Sequence, residues 1–335
     1  MINVGVIGVG YWGPNIIRNF YAHPKTNVVK CSDLRDERLA YVKKTYPVIE
    51  TTKDANDVIN DPRIDLIAII TPVYTHYELA KRCLEAGKHV LIEKPMTSNS
   101  ADSERLIELA KSKNLQIFVD HTFVFTGAVA KIKETISSGE LGDLFYFDSV
   151  RVNLGLFQHD INVLWDLAPH DISIMQTLLN LKPESVVATG SDHLKNGIEN
   201  IAYLSVYYPD NVIGHIHANW LSPVKVRQTL IAGTKKMIVW DDIEPTEKIR
   251  IYDKGIDVIE TANQVYDMLI QYRTGDMYCP KINSAEALTV EVDNIVACLE
   301  ENQKSLANGE DGLMVVKILE AAEKSLKNRG QEVKI

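Results

Sequence analysis

Asn3-Val4-Gly5-Val6-Ile7-Gly8-Val9-Gly10-Tyr11-Trp12-Gly13-Pro14-Asn15-Ile16-Ile17 decides the fold. A short apolar run ends in G-x-G-x-x-G, and an apolar-periodic segment opens directly behind it. On its own the glycine pattern is weak; between a strand and a helix it is the context that dinucleotide binding requires. Gly8 permits the tight turn, Gly10 lets backbone approach a pyrophosphate, and Gly13 lets the helix pack on the strand. The N–H groups that open the helix, around Tyr11 and Trp12, are the natural partners of the phosphates. Pro14 falls in the first helical turn, where its missing N–H costs nothing. The second mark of the pattern is an acid at the end of the next strand, about 20 residues on. Asp33 stands there, in KCSDLRD, with Leu34 and Arg35 beside it. A carboxylate at that place accepts the ribose hydroxyls and repels a 2′-phosphate. The expected cofactor is NAD rather than NADP, although Arg35 is a cation of the kind that accepts a 2′-phosphate.

Working outward, residues 1–121 alternate short apolar runs with amphipathic segments. Strands are predicted at 3–7, 28–32, 65–70, 89–92 and 116–119, with a weak extra one at 48–50. Helices are predicted at 15–21, 36–45, 76–86 and 101–112. Runs such as LIAII and HVLIE are apolar on both faces, as strands of a buried parallel sheet are. After His121 the style changes. A helix at 128–138 stops at a glycine-marked turn. Longer strands follow at 144–153, 185–191, 201–208, 211–219, 225–232 and 236–240, several joined by short turns. A helix at 169–179 is inserted, and helices at 285–302 and 312–327 close the chain. The predicted fold class is α/β: a Rossmann doubly wound parallel sheet over 1–121, then an α+β domain over 122–335 with a large, open, mostly antiparallel sheet. With 335 residues, two cores are the natural expectation.

Composition narrows the partners. The formal net charge of −9 argues against a general nucleic-acid or anionic-membrane binder. No apolar run reaches the ~18 residues of a membrane helix. The N-terminus has no basic stretch before its apolar run, so no secretory signal is expected. Cys31, Cys83, Cys279 and Cys298 are scattered, without metal or disulfide spacing. A cytoplasmic protein with reduced thiols and no metal is the expectation.

Two further stretches carry chemistry. HVLIE runs into Glu93-Lys94-Pro95, at the carboxyl end of a parallel strand, where ligands of such sheets bind. WDLAPHD, 165–171, places Asp166 and His170 four residues apart, on one face of a helix. Read as a helix start, Asp166 caps, Pro169 sits in the first turn and His170 follows.

Together, GVIGVGYWG, TPVYTH at 71–76 and AGKHVLIEKP at 86–95 resemble the Gfo/Idh/MocA family of sugar and cyclitol oxidoreductases. The similarity extends over nearly the whole chain. It implies a Rossmann domain with an open-sheet domain, a nicotinamide cofactor, and hydride transfer at a sugar carbon. It also implies association through the exposed sheet face, as a homodimer or homotetramer. The family's EKP lysine falls on Lys94, and its D-x-x-x-H pair on Asp166 and His170. Its strand-end Thr-Pro, which lies along the cofactor, falls on Thr71 and Pro72, with His76 one turn further; Glu93 and Lys94 border the same ligand. Two departures mark a subtype. Many members carry glycines before the D-x-x-x-H pair, where this chain reads NVLWDLAPH. Many carry arginines after the sixth strand, where it reads HTFVF.

Oxidation of a secondary alcohol needs a base for the hydroxyl proton, and histidine titrates in the right range. His170 is assigned as the acid/base, kept neutral by a helix N-terminus. Lys94 stabilises the developing alkoxide, and Asp166 orients His170 or binds substrate. Asn153, Gln158, His159 and Asn162 are offered for sugar hydroxyls, Trp165 for stacking, and Lys225 with Arg227 for a diphosphate. The pattern resembles members acting on nucleotide-linked amino sugars. The expected reaction is oxidation at C3 of UDP-N-acetylglucosamine or its uronic acid. Rival readings are a dehydrogenase or reductase of a free sugar, inositol or keto-deoxysugar, a reductase of an imine or tetrapyrrole, and a non-enzymatic dinucleotide-binding sensor.

Overall fold

The computed structural model describes residues 1–155, 161–259, 269–301 and 303–335. The chain divides into two compact units. The first comprises Met1–Thr126 with Ala285–Glu320, and the second Gly127–Ser284 with Ala321–Ile335. The segment 285–320, which a linear division after residue 121 gives to the second domain, therefore packs in the first unit.

The first unit is built on strands β1 (Ile2–Ile7), β2 (Thr26–Ser32), β3 (Glu50–Thr52), β4 (Leu66–Ile69), β5 (His89–Glu93) and β6 (Ile117–Asp120). They pair in the order β3-β2-β1-β4-β5-β6, all parallel. Order reverses at β1, so a crevice opens at the carboxyl ends of β1 and β4, the switch point of a doubly wound sheet. Helices α1 (Gly13–Ala22), α2 (Asp36–Thr45), α3 (Ala55–Ile59), α4 (His76–Glu85) and α5 (Ser100–Ser112) connect the strands. All four residues of β4 are buried, as a strand covered on both faces must be. Sequence periodicity missed α3, a single turn capped by the Asp54 carboxylate on the Asn56 N–H, because five residues carry no period.

The second unit holds α6 (Gly127–Ser137) and α7 (Val163–Leu179) with strands β7 (Leu144–Leu154), β8 (Ser185–Ser191), β9 (Ile201–Tyr207), β10 (Ile213–Asn219), β11 (Leu221–Gly233), β12 (Met237–Asp241), β13 (Ile249–Ile259), β14 (Leu269–Tyr278) and β15 (Val333–Lys334). The sheet order is β14-β13-β12-β11-β7-β10-β9-β8-β15. β7 and β10 run parallel; the other pairs are antiparallel. Helix α7 packs on β7, β9 and β10. Burial alternates along β9 and β10, with Ala202, Leu204, Val206, Ile216 and Ala218 buried and their neighbours facing out. One face of this sheet is thus core and the other open. β13 and β14 were not anticipated: polar and charged residues break their apolar runs. Two closing helices, α8 (Ala287–Glu301) and α9 (Gly309–Lys327), were anticipated within a few residues. From α8, Leu288, Val292 and Ile295 join the core around Val4, Val6 and Ile17 in the first unit.

One anticipated boundary needs correction. α7 begins at Val163, not at Pro169. Asn162 caps it, its Oδ1 accepting the N–H of Leu164 at 3.1 Å and of Trp165 at 3.2 Å. Asp166 therefore lies in the first turn, and Pro169 is inside the helix, where it has no N–H to offer the Trp165 carbonyl. Pro169 is a start signal in the sequence, but the asparagine cap ahead of it is the stronger one.

Candidate active site

The three loop glycines meet three separate demands. Gly8 has φ +97°, and a Cβ there would lie 2.1 Å from the Ile70 carbonyl oxygen. A Cβ on Gly13 would lie 2.6 Å from the Gly8 oxygen, so helix and loop touch through bare backbone. At Gly10 the nearest atom to such a Cβ is the Arg35 Nη2, 3.9 Å away. A side chain there would fill the crevice rather than strike the protein. Among the described residues, no acceptor pairs with the backbone N–H groups of Gly10, Tyr11 and Trp12. This is a cradle suited to a diphosphate at a helix N-terminus.

The crevice holds a cavity of about 690 Å³ within the first unit, a volume typical of ligand sites. Gly8, Gly10, Tyr11, Trp12, Asp33, Leu34, Arg35, Thr71, Pro72 and Glu93, all expected at a cofactor, line it. Tyr74, Thr75 and Leu79 also line it and were not singled out, although Tyr74 and Thr75 lie inside TPVYTH. Tyr11 and Leu34 are 91% and 84% exposed, apolar surface that invites a cover.

Asp33 is nearly buried and doubly engaged. Its Oδ2 accepts the Val9 N–H at 2.7 Å, while Oδ1 accepts the Arg35 N–H at 2.9 Å and the Arg35 Nε at 3.2 Å. Burial opposes its charge, but these donors outweigh it and hold the carboxyl below its ordinary range. Arg35, read as a possible 2′-phosphate ligand, is thus turned onto Asp33. Trp12 donates its indole N–H to the Asp120 Oδ2 at 2.6 Å, so it walls the cavity from a fixed position.

His76 differs from its expected place along the cofactor. It is fully buried, with Nε2 2.7 Å from the Thr71 oxygen and Nδ1 3.1 Å from the Pro95 oxygen. It fastens the loop after β4 to the loop after β5 instead of facing the cavity. Burial lowers its pKa and favours the neutral ring, whose single N–H donates to one of these two carbonyl oxygens. Lys94 follows Glu93 at the end of β5, before a cis Lys94-Pro95 bond. Its charge acts on Glu93 and on buried His121, whose pKa falls to about 3 by burial first and by Lys94 second.

In the second unit, α7 from Trp165 to His170 is buried at Trp165, Ala168 and Pro169 and partly exposed at Asp166, Leu167 and His170. Asp166 and His170 therefore share one accessible face, as their spacing implies. Trp220 donates its indole N–H to the Asp166 Oδ2 at 3.0 Å, a partner no motif marks. His170 is the eighth residue of α7, and the helix dipole fades beyond the first turn. The expectation that a helix N-terminus keeps it neutral fails. Asp171 is buried and receives Arg151 in a two-point pair, Nε to Oδ2 at 2.6 Å and Nη2 to Oδ1 at 3.2 Å, plus the Ser149 hydroxyl at 2.7 Å.

Several expected sugar contacts are otherwise engaged. Trp165 is 7% exposed and donates to Glu323 at 3.1 Å, so it is core rather than a stacking platform. Asn162 spends its oxygen on the α7 cap. Arg227 lies 3.6 Å from Asp242. Asn153 is half-buried near the end of β7, and Lys225 is exposed on β11. Gln158 and His159 lie outside the described residues.

Comparison with known proteins decides the family. The sequence pattern described as the Gfo/Idh/MocA oxidoreductase family, NAD-binding Rossmann fold, matches residues 2–121, and that of the Gfo/Idh/MocA C-terminal domain matches residues 129–239. The chain belongs to the Gfo/Idh/MocA oxidoreductases. As a member of this family, it is an oxidoreductase with an NAD-binding Rossmann fold, and the glycine cradle and Asp33 fit NAD. It is 26% identical to myo-inositol 2-dehydrogenase of Thermotoga maritima, over 98% of this chain and 97% of that one. It is also 26% identical to the NADP(+) scyllo-inositol 2-dehydrogenase of Bacillus subtilis, over 98% and 94%. The fold matches UDP-N-acetylglucosamine 3-dehydrogenase from Acidithiobacillus ferrooxidans with TM-score 0.81, 20% identity, and coverage of 98% and 99%. Among the described residues, this Gfo/Idh/MocA member has no helix long and apolar enough to cross a membrane.

Proposed function

We propose that the protein is an NAD-dependent dehydrogenase of a ring secondary hydroxyl on a sugar. The observation that carries this reading is the pairing of Asp166 and His170 on the one accessible face of an otherwise buried α7 segment, in a chain whose first unit holds a dinucleotide cradle and Lys94. Bound nicotinamide supplies the hydride acceptor. His170 takes the hydroxyl proton, Lys94 stabilises the oxygen as negative charge develops, and Asp166, held by Trp220, orients the imidazole or a neighbouring hydroxyl. Asp33 favours NAD over NADP by accepting ribose hydroxyls and opposing a 2′-phosphate.

The substrate we test first is a UDP-linked amino sugar, UDP-N-acetylglucosamine or its uronic acid, oxidised at C3. The GYWG loop and, of the stretch 151–166, the partly exposed Asn153 and Asp166 support it. A second reading, a free inositol, is favoured by the two inositol dehydrogenases that align along nearly the whole chain and by the Arg227–Asp242 pair, which occupies a cation expected to meet diphosphate. Incubation with NAD and a panel of UDP-sugars, inositols and free sugars, read by NADH absorbance and product mass, separates them. A UDP-3-keto-sugar supports the first reading and an inosose the second. Turnover of neither class overturns both. Self-association through the open face of the second sheet, where Tyr203 stacks on His217, belongs to the same reading; a monomer in sedimentation removes it.

A further inference from the structure

Glu93 of β5 and Asp120 of β6 are register partners, and Glu291 of α8 lies where both act on it, inside the first unit and beside the cavity that Glu93 lines. Asp120 and Glu291 are 1% and 2% exposed. Asp120 acts on both glutamates, and the buried Oε2 atoms of Glu93 and Glu291 find no donor among the described residues. Asp120 also accepts the Trp12 indole N–H at 2.6 Å and the Thr122 hydroxyl.

Donor counting fixes the protons. An ionised carboxylate only accepts, so two carboxyls share a hydrogen bond only if one of them is protonated. The indole N–H only donates, which makes Asp120 Oδ2 an acceptor. The Thr122 hydroxyl donates to the other oxygen, Oδ1, so both Asp120 oxygens accept and the protons in the carboxyl–carboxyl contacts belong to Glu93 and Glu291. Charge agrees with this count. Burial first, and the negative charge of Asp120 second, push both glutamates well above the ordinary carboxyl range. Lys94 favours the ionised form of Glu93, but ranks behind those two effects. His121, the other titratable group here, is buried with both ring nitrogens lacking partners and is held neutral.

We propose that Glu93, Asp120 and Glu291 form a carboxyl triad carrying two protons and one negative charge at neutral pH, and that it positions Trp12 as the wall of the cofactor cavity. Asp120 is the carboxylate that grips the indole. Glu93 and Glu291 are the neutral donors that allow it to stay charged in the interior. Glu291 thereby becomes a positioning residue for cofactor binding, on a helix that no dinucleotide motif includes. The argument does not depend on which sugar is oxidised.

Infrared spectra of the cofactor-free protein test the protonation directly. The protonated-carboxyl C=O absorption is expected at neutral pH, and Glu93→Gln and Glu291→Gln are each expected to remove part of it. NADH binding, followed by nicotinamide fluorescence, tests the positioning. Glu291→Leu removes a donor from Asp120 and is expected to weaken binding about tenfold, while Glu291→Gln, which still donates, recovers most of the loss. A spectrum in which Glu291→Gln removes no protonated-carboxyl band overturns the proton assignment. A Glu291→Gln protein that binds NADH as weakly as Glu291→Leu overturns the positioning role. Should Glu291→Leu fail to fold, the infrared comparison of wild type with Glu291→Gln decides the proton count alone.

Discussion

Arg35 rests its guanidinium on Asp33, with Nε 3.2 Å from Oδ1, and both residues line the cofactor crevice. The contact supports the proposal that Asp33, rather than the adjacent and opposite charge of Arg35, governs cofactor choice. Asp33 is nearly buried and held by Val9, whereas Arg35 is half-exposed and neutralised by its neighbour. Asp33→Ala removes the ribose acceptor and releases Arg35 toward a 2′-phosphate. The ratio of kcat/KM with NAD to that with NADP is expected to fall by about tenfold or more. An unchanged ratio would remove Asp33 from cofactor discrimination.

The placement of His170 on the accessible face of α7 predicts a catalytic defect without a folding defect. His170→Ala is expected to lower kcat by about 10²–10⁴-fold and to abolish the acidic limb of the pH–rate profile. NADH affinity, read by fluorescence, reports separately on the first unit. A variant that retains a near-normal rate takes His170 out of proton transfer.

The Arg151–Asp171 pair holds α7 against β7, one residue beyond His170. Both side chains are buried, so breaking the pair leaves an uncompensated charge. Asp171→Leu is expected to cost about 3–5 kcal/mol in chemical denaturation. The double variant Arg151→Met with Asp171→Leu replaces both charges by apolar groups and is expected to recover much of that cost. If the single and double variants are equally destabilised, the loss is one of packing and not of charge.

These residues also show what the sequence could and could not disclose. The Rossmann sheet was legible because its signals are local: G-x-G-x-x-G between a strand and a helix, an acid at the next strand end, apolar runs of fixed length. Lys94, Asp166 and His170 are proposed from short motifs. Trp220, Arg151, Asp120 and Glu291 were not legible, because their partners lie far away in the chain and no spacing rule joins an indole on one element to a carboxylate on another. Trp165 and Asn162 were misjudged for a related reason. A tryptophan and an asparagine beside a catalytic motif look like ligands until burial and helix capping claim them. Strands β13 and β14 escaped because charged residues such as Arg250, Asp253, Lys254, Arg273 and Asp276 break their apolar alternation.

His121 supplies a pH prediction whose sign can be worked out. Its pKa in the folded protein is lowered to about 3, by burial first and by Lys94 second, against an ordinary value of 6.5. Above pH 6.5 both the folded and the unfolded chain carry it neutral, and it adds no pH dependence. Below that, the unfolded chain takes up a proton that the folded chain refuses until about pH 3. Stability is therefore expected to fall with acidification by roughly 1 kcal/mol per pH unit across that window from this group alone. His121→Leu removes the titration and keeps an apolar side chain at a site where neither ring nitrogen has a partner. The difference in unfolding free energy between wild type and His121→Leu, measured by denaturant titration at several pH values, should change in favour of the variant as pH drops from 6.5 toward 4. A difference that stays constant over that range would show that His121 titrates alike in the folded and unfolded chains, and would contradict its burial as a neutral group beside Lys94.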